Sequence, residues 1–338
     1  MKLAADFEFA YASVEDAEQL AVLYDRAYGG TYTIVDCLDP VAIRRIVSGG
    51  EHIWVIARAD GAVVSAIVAR PEPAQRAYEI CRAAVLPEYA GRGGFGGLFA
   101  MTVNTAISRP DCELIYGHAR SERARRAFIR NGYPMAWVGT DGGMHRVGGA
   151  REEHLTCVAF NAYPMVTRVR PEHPLIDPKS TVAHEVMRLL GHVRTGAYPS
   201  SVVAGRTGEL VHESSHGRVT YTLAAPIAAM EIDSVQTSTP ADTRRALWAA
   251  IDDAPTPVEH VTVRVLADKV EVITELCRPH DDSRRFAARA YLPGWYSDGA
   301  LRYDCVALVA YTAPYPPIRL GLDDRVEAIH RSFPTLLR

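Results

Sequence analysis

Five glycines crowd into residues 90–97, Ala90-Gly91-Arg92-Gly93-Gly94-Phe95-Gly96-Gly97, a junction through which neither a strand nor a helix runs undisturbed. Upstream, residues 78–85 read as a strand, and Leu86-Pro87-Glu88-Tyr89 turns the chain. Downstream, residues 98–107 form an apolar, helix-like run; a second strand (113–119) and a short helix (121–131) follow. That order has an electrostatic consequence. Glycine backbones let successive N–H groups point into one concavity, and a helix N-terminus adds about half a positive charge, so the corner can hold a phosphate or pyrophosphate without a lysine.

Two segments in this order resemble the acyl-coenzyme A binding core of the GNAT superfamily of N-acyltransferases. The family reads strand, then Pro-Glu-Tyr-Arg-Gly-Arg-Gly-x-Gly, then helix, and further on Asn-x-x-Ala-x-x-Leu-Tyr-Glu-Lys-Leu-Gly-Phe. Here Ser121-Glu122-Arg123-Ala124-Arg125-Arg126-Ala127-Phe128-Ile129-Arg130-Asn131-Gly132-Tyr133 lies on the second pattern without a gap. The resemblance covers about residues 7–163. It implies acetyl-CoA or another acyl-CoA as co-substrate, with Ala90, Gly91, Arg92, Gly93, Gly94, Phe95 and Gly96 around the pyrophosphate. Ala83, Ala84 and Val85 would offer backbone groups to the pantetheine arm, and Ser121 and Phe128 would lie beside the coenzyme. The corner departs from the pattern: ungapped, Ala90 replaces the usual Arg or Gln and Phe95 stands at the last Gly or Ala. A one-residue slide restores Gly94-Phe95-Gly96 and moves Gly91 to the first position.

Acyl transfer to an amine needs a neutral amine, a polarised carbonyl and a proton for the leaving thiolate. A carboxylate on the strand before the corner can take the amine proton. Glu79 falls where several family members, histone acetyltransferases among them, place a glutamate base. The tyrosine that often protonates the thiolate is Phe128 here, which carries no proton; Tyr116, His118, Tyr133 or water are the alternatives. Ser121 replaces the family's asparagine and is also a good helix N-cap.

In chain order, residues 7–12 suggest a strand. Ser13, with Asp16, caps a helix whose inward stripe is Ala17, Leu20, Ala21, Tyr24 and Ala27, the Tyr24 hydroxyl toward the rim. Gly29-Gly30 stops it, and Asp39 caps a second helix over 40–47. Between them, residues 31–38 would flank the acceptor cleft. Strands at 53–58 and 62–69 meet at Asp60-Gly61, a hairpin dipeptide. Residues 139–153 read as a glycine-rich, charged loop, 155–163 as a strand, and 164–178 as a linker or edge crossover. Beyond it come helices at 181–190, 241–252, 268–278 and 323–332. Strands are expected at 200–204, 218–223, 228–235, 260–266, 286–291 and 303–311.

The two halves echo each other. Residues 155–163 (LTCVAFNAY) and 303–311 (YDCVALVAY) share five of nine positions, and Glu79-Ile80 has a counterpart in Glu231-Ile232. The offsets, 148 and 152 residues, suggest a duplicated unit. The expected class is α/β (α+β), two GNAT-like domains, each a mixed, mainly antiparallel twisted sheet flanked by helices, at 1–163 and 164–338. Residues 231–240 pass from strand to helix with no glycine, so the second domain is expected to be degenerate and to shape the acceptor site.

Composition narrows the partners. With 37 basic and 40 acidic residues in 338 and a net charge of −3, the chain carries no nucleic-acid footprint. No run of eighteen apolar residues and no leader is seen, so a cytoplasmic protein without membrane contact is expected. The six cysteines never form C-x-x-C and read as reduced core residues. His212-Glu213-Ser214-Ser215-His216 matches H-E-x-x-H, but flanking glycines and an adjoining β-rich run leave no helix to align the imidazoles. No metal ligands are assigned. Trp295, Tyr296 and Tyr291 are weak acceptor-pocket candidates.

The leading reading is an N-acyltransferase acting on a small-molecule amine, with homodimerisation possible. One alternative keeps the fold and takes an aminoacyl-tRNA or carrier-protein thioester; another is a non-catalytic CoA-binding or scaffold protein.

Overall fold

The computed structural model describes residues 6–130, 133–147, 149–162, 166–205, 208–280, 284–312 and 317–338. Strand β1 (Glu8–Tyr11) leads to Ser13, whose N–H donates to Asp16 Oδ2 (2.9 Å) in a capping box. Helix α1 (Ala17–Tyr28) then buries Ala17, Leu20, Ala21, Leu23 and Tyr24. Gly29, at φ 60°, ends it, and Asp39 accepts from the Val41 N–H to start α2 (Pro40–Gly49). Asp60 and Gly61 both take positive φ in the tight turn between β2 (Ile53–Ala59) and β3 (Ala62–Glu72). Then come β4 (Ala77–Val85), α3 (Gly94–Ile107), β5 (Leu114–Ala119), α4 (Glu122–Arg130) and β6 (Ala136–Thr140). Residues 139–153, expected as a loop, contain a two-stranded hairpin, β7 (His145–Val147) with β8 (Ala150–Glu152), before β9 (Leu155–Phe160). Three-residue strands leave no readable alternation, so only their pairing reveals them.

A second correction concerns residues 164–178. This stretch holds β10 (Thr167–Arg170), which pairs in parallel with a strand near the C-terminus. Next are α5 (Thr181–Met187), β11 (His192–Thr195), β12 (Leu210–Ser214), β13 (Gly217–Ala224), β14 (Ala229–Gln236) and α6 (Pro240–Asp252). The chain ends with β15 (His260–Leu266), α7 (Val270–Leu276), β16 (Ala287–Ser297), β17 (Arg302–Tyr311) and α8 (Asp323–His330). Residues 200–204 are not a strand; Val203 makes only an isolated bridge to Val265. The H-E-x-x-H run lies in β12 and the turn after it. Asn131 and Gly132 of the second motif, and Tyr163 and Pro164 at the expected domain boundary, lie outside the described residues.

The class is mixed α/β, built on one large, mainly antiparallel sheet. Its order is β1-β2-β3-β4-β5-β9-β6-β16-β17-β15-β14-β13-β12, with β10 beside β17 and β11 beside β10. Read inward from either end, the pattern repeats. β4 pairs β5 in parallel and β14 pairs β15 in parallel, each followed by two antiparallel partners. The echoing segments of the sequence are thus β9 and β17, and β4 and β14.

The seam is β6 against β16, where Gly139 faces Ala290 so closely that a Cβ on Gly139 would overlap it. Arginine side chains tie the halves together, Arg302 and Arg151 among them. Arg302, 1% exposed, donates to Glu113 Oε2 (2.9 Å), and Arg151, fully buried, donates to the Ile227 carbonyl (2.9 Å). One continuous apolar core runs through both. All six cysteines are free thiols, and no described helix is long and apolar enough to cross a membrane.

Candidate functional site

The parallel pairing of β4 with β5 runs from Ala77–Leu114 to Ile80–Gly117 and goes no further. Beyond it the strands part. On its other edge β4 is bulged: Cys81 faces Val68 and Ala84 faces Ala66, so Arg82 and Ala83 together oppose Ile67. Arg82 has φ 51°, a left-handed conformation that costs a non-glycine residue roughly 1–2 kcal/mol. Helix α1 holds it there. The Tyr24 hydroxyl donates to the Arg82 carbonyl (2.5 Å) and the Tyr28 hydroxyl to the Ala83 carbonyl (2.9 Å). Tyr24 is therefore fully buried, not turned to the rim as its helical position suggested.

At the notch between β4 and β5, a Cβ on Gly117 would lie 2.9 Å from the Ile80 carbonyl oxygen and 3.0 Å from the Phe128 ring. Phe128, 5% exposed, packs edge-on against Phe99 (4.8 Å between centroids) and Trp137 (6.0 Å). It forms an apolar floor under the notch. Ser121 caps α4, its hydroxyl accepting from the Ala124 N–H (3.3 Å).

After β4, Pro87–Tyr89 makes one 3-10 turn, Ala90 is extended, and the corner begins. Gly91 and Gly93 take φ of 84° and 98°, conformations that glycine adopts without a Cβ clash. Both are exposed. Gly93 is the N-cap of α3, which has no side-chain cap, so apart from the Gly96 N–H, which donates to the Gly93 carbonyl (3.4 Å), the first N–H groups of the helix lack intrahelical partners. A Cβ on Gly93 would meet nothing within 4 Å, and one on Gly91 would meet only Arg123 Nη2, at 3.5 Å. The corner is open.

Gly94 and Gly97 have a different reason to be small. The Phe7 ring would lie 3.0 Å from a Cβ on Gly94, and the Phe9 ring would overlap one on Gly97. The Arg92 guanidinium lies over the Tyr89 ring (5.2 Å), and the half-buried Phe95 leans on Phe99 (6.3 Å). Gly96 is exposed on the first turn.

Glu79 points from the paired part of β4, its side chain 12% exposed. Arg70, opposite it on β3, donates to Glu79 Oε2 from Nε (3.0 Å) and Nη2 (2.5 Å). Burial pushes the carboxyl pKa up, but the Arg70 charge, helped by these hydrogen bonds, outweighs it and holds the group down at about 2. Glu79 is ionised throughout the neutral range. His118 sits on β5 with Nδ1 3.1 Å from Thr156 Oγ1, and burial lowers its pKa, keeping the ring neutral.

Of the proton donors left open, Tyr116 donates to Glu72 (3.3 Å) and Tyr133 to the Phe160 carbonyl (3.3 Å). Beside Tyr116 a cavity with room for about one water is lined by Glu72, Gln75, Glu231, Arg264 and Trp295, side chains from both halves. Trp295 packs edge-on against Tyr116 (4.7 Å). Tyr291 is buried on Asp304 (2.7 Å), and Tyr296 lies near Tyr303 (6.1 Å). A broader hollow of about 800 Å³ lies between α4, α5 and α8, where Glu122 is already paired with Arg125 and Arg325.

Sequence reasoning missed Arg70, Tyr28, Arg123 and the Glu231–Arg264 pair. Cross-strand register brings Arg70 to Glu79. Only the junction of the halves brings Trp295 to Tyr116.

No family model matches the chain, and no curated protein matches it. Similar solved structures are GNAT N-acetyltransferases, each overlapping less than half of this chain. They include the ribosomal-protein-S5-alanine acetyltransferase of Vibrio fischeri (12% identity, TM-score 0.40, 46% of this chain and 94% of that one). NAA60 of Arabidopsis thaliana in complex with acetyl-CoA follows (18%, 0.40, 46% and 98%), as does the spermidine N-acetyltransferase of Vibrio cholerae with CoA and spermine (11%, 0.39, 46% and 96%). Overlaps of this size leave the activity and substrate of the present chain to its own chemistry.

Proposed function

We propose that the chain is an N-acyltransferase of GNAT type, moving an acyl group, acetyl in the simplest case, from acyl-CoA to the amine of a small molecule. One observation carries this reading: a strand parts from its parallel neighbour at a bulge and leads, through one 3-10 turn, into an open glycine corner at the start of a 14-residue helix. Ala90, Gly91, Arg92, Gly93, Gly94, Phe95 and Gly96 would surround the pyrophosphate, with Arg123 adding charge beside Gly91. Ala83, Ala84 and Val85 would line the pantetheine arm with backbone. Phe128 would floor the thiol end, and Ser121 would fix α4 under it. Residues 1–163 and 164–338 are proposed as tandem units, the second completing the acceptor site through Glu231, Arg264 and Trp295.

The amine nitrogen forms the C–N bond to the thioester carbonyl carbon as the C–S bond breaks. A carboxylate with a pKa near 2 does not retain a proton at neutral pH. Glu79 therefore attracts the ammonium and passes its first proton through water to solvent, while the second, shed by the nitrogen once the C–N bond has formed, reaches the departing thiolate through water.

The test is titration with acetyl-CoA, then assay of free-thiol release with a panel of small amines. Binding, and release that falls about 100-fold in E79Q with donor affinity kept, is the expected result. Absence of acetyl-CoA binding overturns the proposal.

A further inference from the structure

Above β5 and β9 lies a side-chain cluster that the acyl-transfer reading does not use. Asp141 follows β6, His145 opens β7, and His154 lies between β8 and β9. Asp141 Oδ2 is 3.6 Å from His145 Nε2 and 3.6 Å from His154 Nδ1, and the three ligand atoms all lie within 4.8 Å of one another. Those separations exceed hydrogen-bond reach. The Asp141 side chain is only 3% exposed, yet Oδ2 is buried with no hydrogen-bond partner. A buried carboxylate oxygen between two imidazole nitrogens, bonded to neither, is costly to leave so.

Everything around that oxygen is fixed. Asp141 Oδ1 accepts from the N–H groups of Gly143 (3.0 Å) and His154 (2.9 Å), which aims Oδ2 at the two rings. The buried Arg151 donates to the carbonyls of Gly143 and Met144 (both 3.3 Å) and holds the turn. On the far side of the His154 ring, Nε2 lies 3.4 Å from Glu152 Oε2, and Glu152 is gripped by Arg120 (2.8 Å from Nη2). A metal-bound histidine commonly places its other ring nitrogen on a carboxylate in this way.

We propose that Asp141, His145 and His154 bind a divalent transition-metal ion, with Zn²⁺ the best fit. Ligands ~2.0–2.1 Å from a tetrahedral Zn²⁺ stand ~3.4 Å from one another, close to the 3.6 Å from Asp141 Oδ2 to each imidazole nitrogen, and the two rings, stacked 4.7 Å apart, would turn to meet one ion. One carboxylate and two neutral imidazoles suit that ion's ligand preference. Three protein ligands leave a coordination position open, and His145, 29% exposed, gives a route in from solvent. His118, whose ring lies 6.0 Å from that of His145, links the site to the Glu79 side of the sheet.

The experiment uses the full chain, stripped with EDTA and titrated with Zn²⁺ against a chromophoric chelator. One Zn²⁺ per chain is expected, with affinity falling tenfold or more in H145A and in D141N. Co²⁺ in the wild type should give visible d–d bands of a low-coordinate nitrogen–oxygen site. H145A alters the most exposed ligand, so its fold is checked by circular dichroism; the Co²⁺ spectrum stands whether or not the variants fold. No stoichiometric uptake, a loss of less than tenfold in folded H145A, or a Co²⁺ spectrum like the hydrated ion overturns the proposal.

Discussion

Arg70 decides what Glu79 can be. Without that guanidinium, burial alone would push the carboxyl pKa above its usual range; with it, the group sits at about 2. The unfolded chain titrates this carboxyl near 4.5, so between about pH 4.5 and 2 it binds a proton that the folded chain refuses. The stabilisation is complete above that window and lost as pH falls through it. Between pH 6 and pH 3 the wild type should lose about 2 kcal/mol more unfolding free energy than E79Q, measured by urea denaturation at each pH. Equal losses would mean that Arg70 does not hold the charge. Little of this is legible from the residues. Glu79 can be picked out by its place on a strand, but the partner nine positions earlier is set by a cross-strand register that includes a bulge.

At the scale of elements, the corner and α3 divide the glycines by task. Gly91 and Gly93 face open space in left-handed conformations, whereas Gly94 and Gly97 make room for Phe7, just before the N-terminal strand, and Phe9 within it. G93A should therefore weaken acetyl-CoA binding about tenfold while costing only the ~1–2 kcal/mol of the strained backbone. G97A should behave in the opposite way, lowering the melting temperature by several degrees through displacement of Phe9 and leaving donor affinity within a few-fold. Calorimetric titration and thermal melts on the two variants would separate the tasks.

Local signals made the corner, the α1 capping box, the Asp39 cap and the Asp60-Gly61 turn readable. Each is decided by residues adjacent in sequence. The β7–β8 hairpin, β10 and the Tyr24 contact were not readable, because each depends on a distant strand or on a bulge that sequence spacing does not announce. Strand β10 sits in a proline-rich stretch and is strand only because β17 and β11 flank it.

For the whole molecule, the repeating strand order poses a question of number. The equivalent of the corner, between β14 and α6, is shut: Thr239 caps α6 by accepting from the Asp242 N–H (3.1 Å), and Pro240 removes another donor. Helix α3 has no such cap. The chain should therefore take up one acetyl-CoA, not two, in a calorimetric titration, and G93A should weaken that single event without exposing a second. A stoichiometry of two would assign a working donor site to the C-terminal half.

The seam at Gly139 and Ala290 gives this asymmetry its meaning. If two identical chains met edge to edge in that way, any residue that closed one corner would close its mate as well. Joined in a single polypeptide, the mirrored ends are encoded separately, and a threonine can seal one helix start while glycines keep the other ajar. On the reading proposed above, what the second end gives up in cargo it is free to contribute as a wall, a tryptophan and an arginine from one half standing beside Tyr116 of the other.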